Sequence, residues 1–425
     1  MIKHTQLTAR MDGLPQDMWV IVMDALNSRA AASFACACRS ARAAYRESVA
    51  FRCVRTARDG RVLEPASGTF DVEVAPGEPL RDAFARCPRC LRGGSVLLRP
   101  ETHAAFDLNC GDEVHVFGRS MARIEGGGMH SWARAGALVG VHMEDQAWIL
   151  AGRLRLQQCT FGDAAGVSGG TGVTFDRCVF NRNLTFHGRA ENKGRIEGCT
   201  FKGGSLNIDG ASPLVSRNSF RHTSLFHNNV ISVWNGGAPA ILDNTIVTEI
   251  ATTIGIRLDG AVGCIIEGNT VSQCAVGVYM ENGSTARIER NQLWNENNVF
   301  LIQNSSAQII ENRIRGLHSC GRGVTLSNAK KTAILNNEIW YHDVGITVND
   351  SQEVTIADND VIRCKVGTWR AKDPRTTGRR QRLAKAIYFI GGASLMGALY
   401  LYDISMQAIA LSLAAIVLSV VTLVD

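Results

Sequence analysis

The residues of this 425-residue chain that could do chemistry are few and widely spread. Six carboxylates are candidates for acid–base work: Asp259, Glu281, Asp343, Asp350, Asp358 and Asp360. Glycoside cleavage needs two of them facing one cleft, and a calcium site needs several oxygen ligands together. Asp358 and Asp360 flank Asn359, but the position of Asp358 is taken upstream by Asp243, Arg290 and Glu311, which describes a solvated stripe. No catalytic residue is assigned; the chain reads as a binding protein, not an enzyme, and no cofactor is expected. Cys87 and Cys90 form a lone Cys-x-x-Cys. Zinc takes four ligands, and neither Cys53, Cys110 nor His103 shows paired spacing, so the pair is a weak metal candidate at best. Neither a nucleophile elbow nor a phosphate loop is present.

Recognition chemistry is easier to place. Two long connections, RHTSLFHNN (221–229) and RGLHSCGR (315–322), together with Trp294 and the WYHD run at 340–343, bring His222, His227, Trp294, His318, Trp340 and Asp343 to corresponding places in a repeat. Histidine, aromatic and charged side chains along one edge suit binding of a target protein. Tolerated loops without a partner would look the same.

That repeat is the element that must position everything else. The pattern apolar-x-x-Asn-x-apolar recurs at Asn218, Asn244, Asn269, Asn291, Asn312, Asn337 and Asn359, and upstream Cys159, Cys178 and Cys199 fill the asparagine slot, at spacings of 19 to 26 residues. A second element, GIRL at Gly255, GVYM at Gly277, VFLI at Val299, GVTL at Gly323 and GITV at Gly345, alternates apolar and polar residues as a strand does. From the second residue of each tetrad to the next asparagine is 12 or 13 residues; from an asparagine to the tetrad varies between 9 and 12. One fixed and one tolerant portion per repeat indicates a solenoid. Leucine-rich repeats of similar length would need leucine at most apolar positions and a helix or extended backbone, and several of these repeats lack the room. Stacked parallel strands would place the asparagines over one another as a structural amide ladder, with the cysteines stacking as small buried groups.

The fold class is therefore mainly β, a right-handed parallel β-helix over residues 68–368. PGEPLRDAFARC (76–87) reads as a short amphipathic helix, with the strands SVLLRP (95–100) and EVHVFG (113–118) after it. This resembles the opening of right-handed parallel β-helix proteins, in which a helix plugs the end of the core. Many proteins of that fold cut or bind polysaccharides.

Composition agrees with a solenoid: 42 glycines, 9 prolines and 7% aromatics. The net charge of +6 comes largely from one cluster near the C-terminus, which argues against a nucleic-acid partner. Thirteen cysteines without an apolar leader favour a reducing, cytosol-facing setting.

Residues 1–55 are expected to be a small helical domain. In LPQDMWVIVMDALNSRAAASFACACRSARAAY (14–45), Met18, Ile21, Val22 and Leu26 recur on one helical face, and Ala31, Phe34, Ala35 and Cys38 on another. Leu14-Pro15, Asp17-Met18-Trp19, Ile21 and the alanine-rich helix ending in Cys-Arg resemble the F-box. The resemblance implies that Leu14, Pro15, Ile21, Leu26 and Phe34 contact a Skp-type adaptor of a cullin–RING ubiquitin ligase. The tryptophan often found after the Cys-Arg step is absent.

Residues 369–385 form a basic linker carrying Lys372, Arg375, Arg379, Arg380, Arg382 and Lys385, and 386–425 are largely apolar, with Asp403 and Asp425 the only charged side chains. Ile404–Val424 is long enough to span a bilayer, alone or as half of a helical hairpin, and the basic cluster would keep the preceding domains on the cytosolic side. A helix pair packed on the open end of the β-helix is the alternative. Together these features are similar to the F-box/β-helix proteins of animals and of large DNA viruses of amoebae. They imply the substrate-recognition subunit of an SCF-type ubiquitin ligase, membrane-associated and, if viral, acting in a host cell. The alternatives are a carbohydrate-active β-helix enzyme, lyase or hydrolase, and a structural β-helix with a degenerate F-box.

Overall fold

The computed structural model describes residues 55–56, 62–63 and, with short gaps, 70–370; the gaps include 84–91, 105–112, 224–228, 296–297 and 317–320. The F-box-like residues 14–45, Cys87, Cys90, His227, His318 and the linker and apolar segment from 371 onward lie outside the described residues. The chain divides into two units, Met1–Trp369 and Arg370–Asp425, and the repeated coils lie in the first. Among the described residues no helix is long and apolar enough to cross a membrane.

One coil shows how the sequence builds the fold. Arg195–Glu197 runs along a first face, turns a corner at Gly198 and Cys199 into Thr200–Lys202 on a second face, and continues through Gly203–Ser205 to Leu206–Asp209 on a third. Leu206 and Ile208 point into the core while Asn207 and Asp209 are part-exposed, the two-residue alternation of a strand with one face buried. Each strand pairs in parallel with its counterpart one coil on: Ile196 with Val215, Phe201 with Phe220, Ile208 with Val233. About 11 such turns make a parallel β-solenoid of the right-handed type. Its third face is a continuous sheet of 12 strands, from Met129–Ser131 to Val366–Arg370. The tolerant portion of the repeat lies between the second and third faces, where connections such as 223–228 and 317–321 differ in length.

The core is filled by columns of like side chains. On the second face Phe161, Phe180, Phe201 and Phe220 stack with ring centroids 4.8, 4.8 and 4.3 Å apart. The column continues as Ile246, Val271, Leu293, Ile314 and Ile339. At the corner between first and second faces the asparagines form a continuous ladder. The backbone N–H and the side-chain amide of Asn244 both donate to Oδ1 of Asn269, each at 2.9 Å. The same double bond links Asn218 to Asn244, Asn269 to Asn291, Asn291 to Asn312, Asn312 to Asn337, and Asn337 to Asn359. The second amide hydrogen reaches a backbone carbonyl one coil back, as from Asn244 to Val215 at 3.0 Å. In the cysteine coils, Cys199 N–H donates to Asn218 Oδ1 at 2.8 Å, whereas the Cys178 N–H finds only the Cys199 sulfur at 3.4 Å.

The residue before each ladder position, from Gln158 to Asp358, has φ between +53° and +67°. A left-handed backbone costs a residue with a side chain about 1–2 kcal/mol, and the bonds of the following amide across the corner offset it. This is why Gly198 and Gly268 share a slot with Arg217, Asp243 and Asp358, and it makes the supposed stripe a corner first and a surface second. Glycine is needed for another reason where the third strand begins. A Cβ on Gly323 would lie 2.5 Å from the carbonyl oxygen of Gly345, and one on Gly255 2.7 Å from that of Gly277.

The first coils are simpler. Glu113–Glu125 and Ala135–Met143 cross the first two faces as long strands, without an asparagine or cysteine corner. At the entrance, the N–H groups of Asp82 and Ala83 both reach the carbonyl of Pro79, and Ala83 is fully buried in the core. A helical turn thus stands where the plug is expected; 84–91 lie outside the described residues.

Candidate functional site

The third face is where chemistry gathers. On its longer strands two side chains alternate away from the core, so coil stacking turns them into two parallel columns, the first of them covered at Ser232. One column runs Asn207, Ser232, Arg257, Tyr279; the other runs His187, Asp209, Trp234, Asp259, Glu281. Flanking inward residues such as Ile256, Leu258, Val278 and Met280 are buried and hold the strands rigid.

Hydrogen bonds tie the polar groups into two clusters on either side of Trp234. In one, Asp209 accepts from Asn235 at 2.6 Å and pairs with His187 Nδ1 at 2.7 Å. Burial works to raise the Asp209 carboxyl, but hydrogen bonds from Asn235, His187 and Trp234 outweigh it and hold the group below the usual range, as a carboxylate. In the other, the Arg257 guanidinium bonds Glu281 at 2.5 and 2.8 Å and reaches Asp259 at 3.4 Å, while Asn282 donates to Asp259 at 2.7 Å. The Tyr279 hydroxyl lies 2.9 Å from Glu281 Oε2 and 2.9 Å from Gln303 Oε1. Burial, and then the adjoining Glu281 carboxylate, push the Tyr279 phenol up to about 12. It stays protonated at neutral pH and acts as a donor, not as a base.

Of the carboxylates singled out from sequence, the fold brings Asp259 and Glu281 together and leaves the rest apart. Asp343 pairs with Lys365 at 2.6 Å, which holds its carboxyl below the usual range. Asp358 forms a corner, Asp350 a turn with φ +46°, and Asp360 is exposed at the start of its strand. Among the proposed target-binding residues, His222 is fully buried at the end of Ser219–His222 and so offers no surface to a partner. Trp294 is 41% exposed and shares a second-face column with Trp340, with Arg315 on the coil between them. His187, Asp209, Trp234, Arg257 and Tyr279 were not foreseen. Arg257 and Tyr279 are the outward residues of the GIRL and GVYM tetrads, so their stacking was implicit in the repeat.

A family model described as periplasmic copper-binding protein (NosD) matches residues 190–374. Among the described residues no three His, Cys, Asp or Glu side chains are placed to hold a metal ion. Burial pushes the Cys264 and Cys274 thiols up to about 12, so these two keep their protons. A comparison with curated proteins finds no match. Among solved structures, tailspike protein 3 of bacteriophage CBA120 superposes with a TM-score of 0.53 at 13% identity, over 72% of this chain and 59% of that one. The chain thus spans less than two thirds of that tailspike. The Dettilon tailspike gives 0.45 at 14% identity over 70% and 66%, and the mannuronan C-5 epimerase AlgE4 A-module of Azotobacter vinelandii 0.36 at 13% over 72% and 96%. The likeness to tailspike protein 3 is one of fold alone.

Proposed function

We propose that the solenoid binds an extended, neutral carbohydrate along its third face, and does so without cleaving it. The observation that carries this reading is the position of Trp234, in one column between Asp209 and Asp259, with Arg257 and Tyr279 alongside. A sugar ring offers an apolar C–H face and a rim of hydroxyls. An indole can take the first, and fixed carboxylates, amides and a phenol the second. Stacked strands repeat about every 4.8 Å, so the four coils from Asp209 to Glu281 offer a track of roughly 15 Å. Three carboxylates against one guanidinium repel a polyanion, which selects a neutral chain. Acid–base work is disfavoured because Arg257 occupies Glu281 and Asp259 together and Tyr279 keeps its proton. Calorimetry of the full chain with cello-, xylo- and mannohexaose is the test. Binding of at least one, weakened tenfold or more by Trp234→Ala and by Asp209→Asn, is expected. Failure of all three to bind at millimolar concentration, or binding that both variants leave intact, overturns the reading.

The Leu14-Pro15 … Ile21 motif favours a second reading, in which residues 1–55 join the chain to a ubiquitin ligase and the solenoid holds the target. The apolar 386–425 segment would then anchor it to a membrane from the cytosolic side. Co-purification with a Skp-type adaptor, lost on joint Leu14→Ala and Pro15→Ala substitution, is its expected signature; its absence removes this reading and leaves the first standing.

A further inference from the structure

We infer that the second face carries a separate docking groove for an acidic, proline-rich peptide segment held in the polyproline II conformation. The groove, of about 330 Å³, is lined by Gln292, Trp294, Arg313, Arg315, Glu338 and Trp340. Its geometry comes from the coils. Trp294 pairs with Arg315, and Arg315 with Trp340, so the two indoles stand two coils apart in one column. At the spacing of stacked strands that is about 9.6 Å. A polyproline II helix repeats every three residues with a rise of about 9.3 Å per turn. Residues i and i+3 of such a segment therefore meet the two indoles in register, running parallel to the solenoid axis. Aromatic-lined grooves suit this conformation because it is already extended and loses little entropy on binding.

Charge selects the composition between the two contacts. Arg313 is paired with Glu338 at 3.3 Å and Asp343 with Lys365 at 2.6 Å. Arg315 lies exposed over the Tyr341 ring at 5.2 Å, and among the described residues no carboxylate pairs with it. Arg363 also flanks that ring, donating to the Tyr341 hydroxyl at 2.6 Å. The Arg315 guanidinium on the coil between the indoles, with Arg363 one coil beyond Trp340, favours Glu or Asp at the intervening positions. The covered indole N–H of Trp340 has no acceptor among the described residues. An unmet covered donor is unfavourable, and a small turn of the indole toward a docked peptide carbonyl would satisfy it.

The test uses the full chain and a fluorescein-labelled peptide of sequence PPEPPEPPEPPE, read by anisotropy at low salt. Saturable binding is expected, weakened at least tenfold by Trp294→Ala and by Trp340→Phe, and made less salt-dependent by Arg315→Gln. The lysine counterpart PPKPPKPPKPPK should not bind. Trp294 is surface-exposed, so its variant reports on docking even where Trp340 variants fold poorly. No saturation up to 1 mM peptide, binding unchanged by Trp294→Ala, or equal binding of the lysine peptide overturns the inference. So does tighter binding of a labelled single-stranded dT12 at the same residues, which would make the groove a nucleic-acid site. Hexasaccharide binding is unaffected by Trp294→Ala in every case, which separates this outcome from that of the third face.

Discussion

The two halves of the solenoid fill the same slots by different means. From Cys159 to Phe220 the corner holds thiols and the second-face column holds stacked phenylalanines. From Asn218 to Asn359 the corner holds amides and the column holds aliphatic side chains. The sulfur contacts to backbone carbonyls are long and weak, such as Cys199 to Phe175 at 3.6 Å, where the equivalent amide bond from Asn218 to Ile196 is 2.9 Å. Ring stacking and burial therefore hold the first half, while directional hydrogen bonds hold the second. The exchange happens one element at a time. Asn218 already carries the amide while Phe220, two residues on, still carries a ring. Corner and column are thus separate supports, each sufficient where the other is weak.

The contrast between the halves can be broken most easily at the ladder. Asn269→Leu would strand the N–H and the amide of Asn244 and leave the Ile241 and Glu267 carbonyls and Asn291 Oδ1 short of a donor. At about 1–3 kcal/mol for each of the two stranded Asn244 donors, the expected loss is about 2–6 kcal/mol, read as a lowered urea midpoint of the full chain. Next comes Phe180→Ala, which removes the ring stacked between Phe161 and Phe201; truncation of a fully buried phenylalanine costs about 3–5 kcal/mol. If Phe180→Ala proves more damaging than Asn269→Leu, the amide ladder is not the stronger support. The smallest and most discriminating change is Cys199→Asn, which extends the ladder by one coil toward Asn218. It is expected to raise the thermal midpoint, whereas Cys199→Ala should lower it by about 1 kcal/mol of stability. A fall on Cys199→Asn would mean that the slot in the phenylalanine half is shaped for sulfur.

The ladder, the third-face tetrads and the tolerant connection were legible in the sequence because each leaves a chemical mark at a fixed interval. The left-handed corner was half legible: Gly198 and Gly268 mark it, but Arg217, Asp243 and Glu311 in the same slot hid the backbone requirement behind a solvated surface. The third-face site was not legible as a site. Arg257 and Tyr279 sit in recognised tetrads, yet Trp234 belongs to Asn229–Trp234, which lacks the leading glycine of Ile254–Asp259 and Val276–Glu281 and comes after a connection of different length. Its register against Asp259 is fixed only by strand pairing. His222 looked available because histidine is polar and its connection variable; the inward turn of the strand end buries it instead. Trp294 and Trp340 were found from sequence, but their alignment with Arg315 needed the coil count.

The corner residue has a consequence for how such a molecule can change over time. Its backbone is set by the amide or thiol after it, and its own side chain points to solvent, so arginine, aspartate, glutamate, glutamine, asparagine and glycine have all been accepted there. A straight file of ten corner positions, eight of them exposed side chains, allows charge to be redrawn along one edge while the ladder behind it is kept. Two descendants of one ancestor could then share every coil and present opposite potentials to the world.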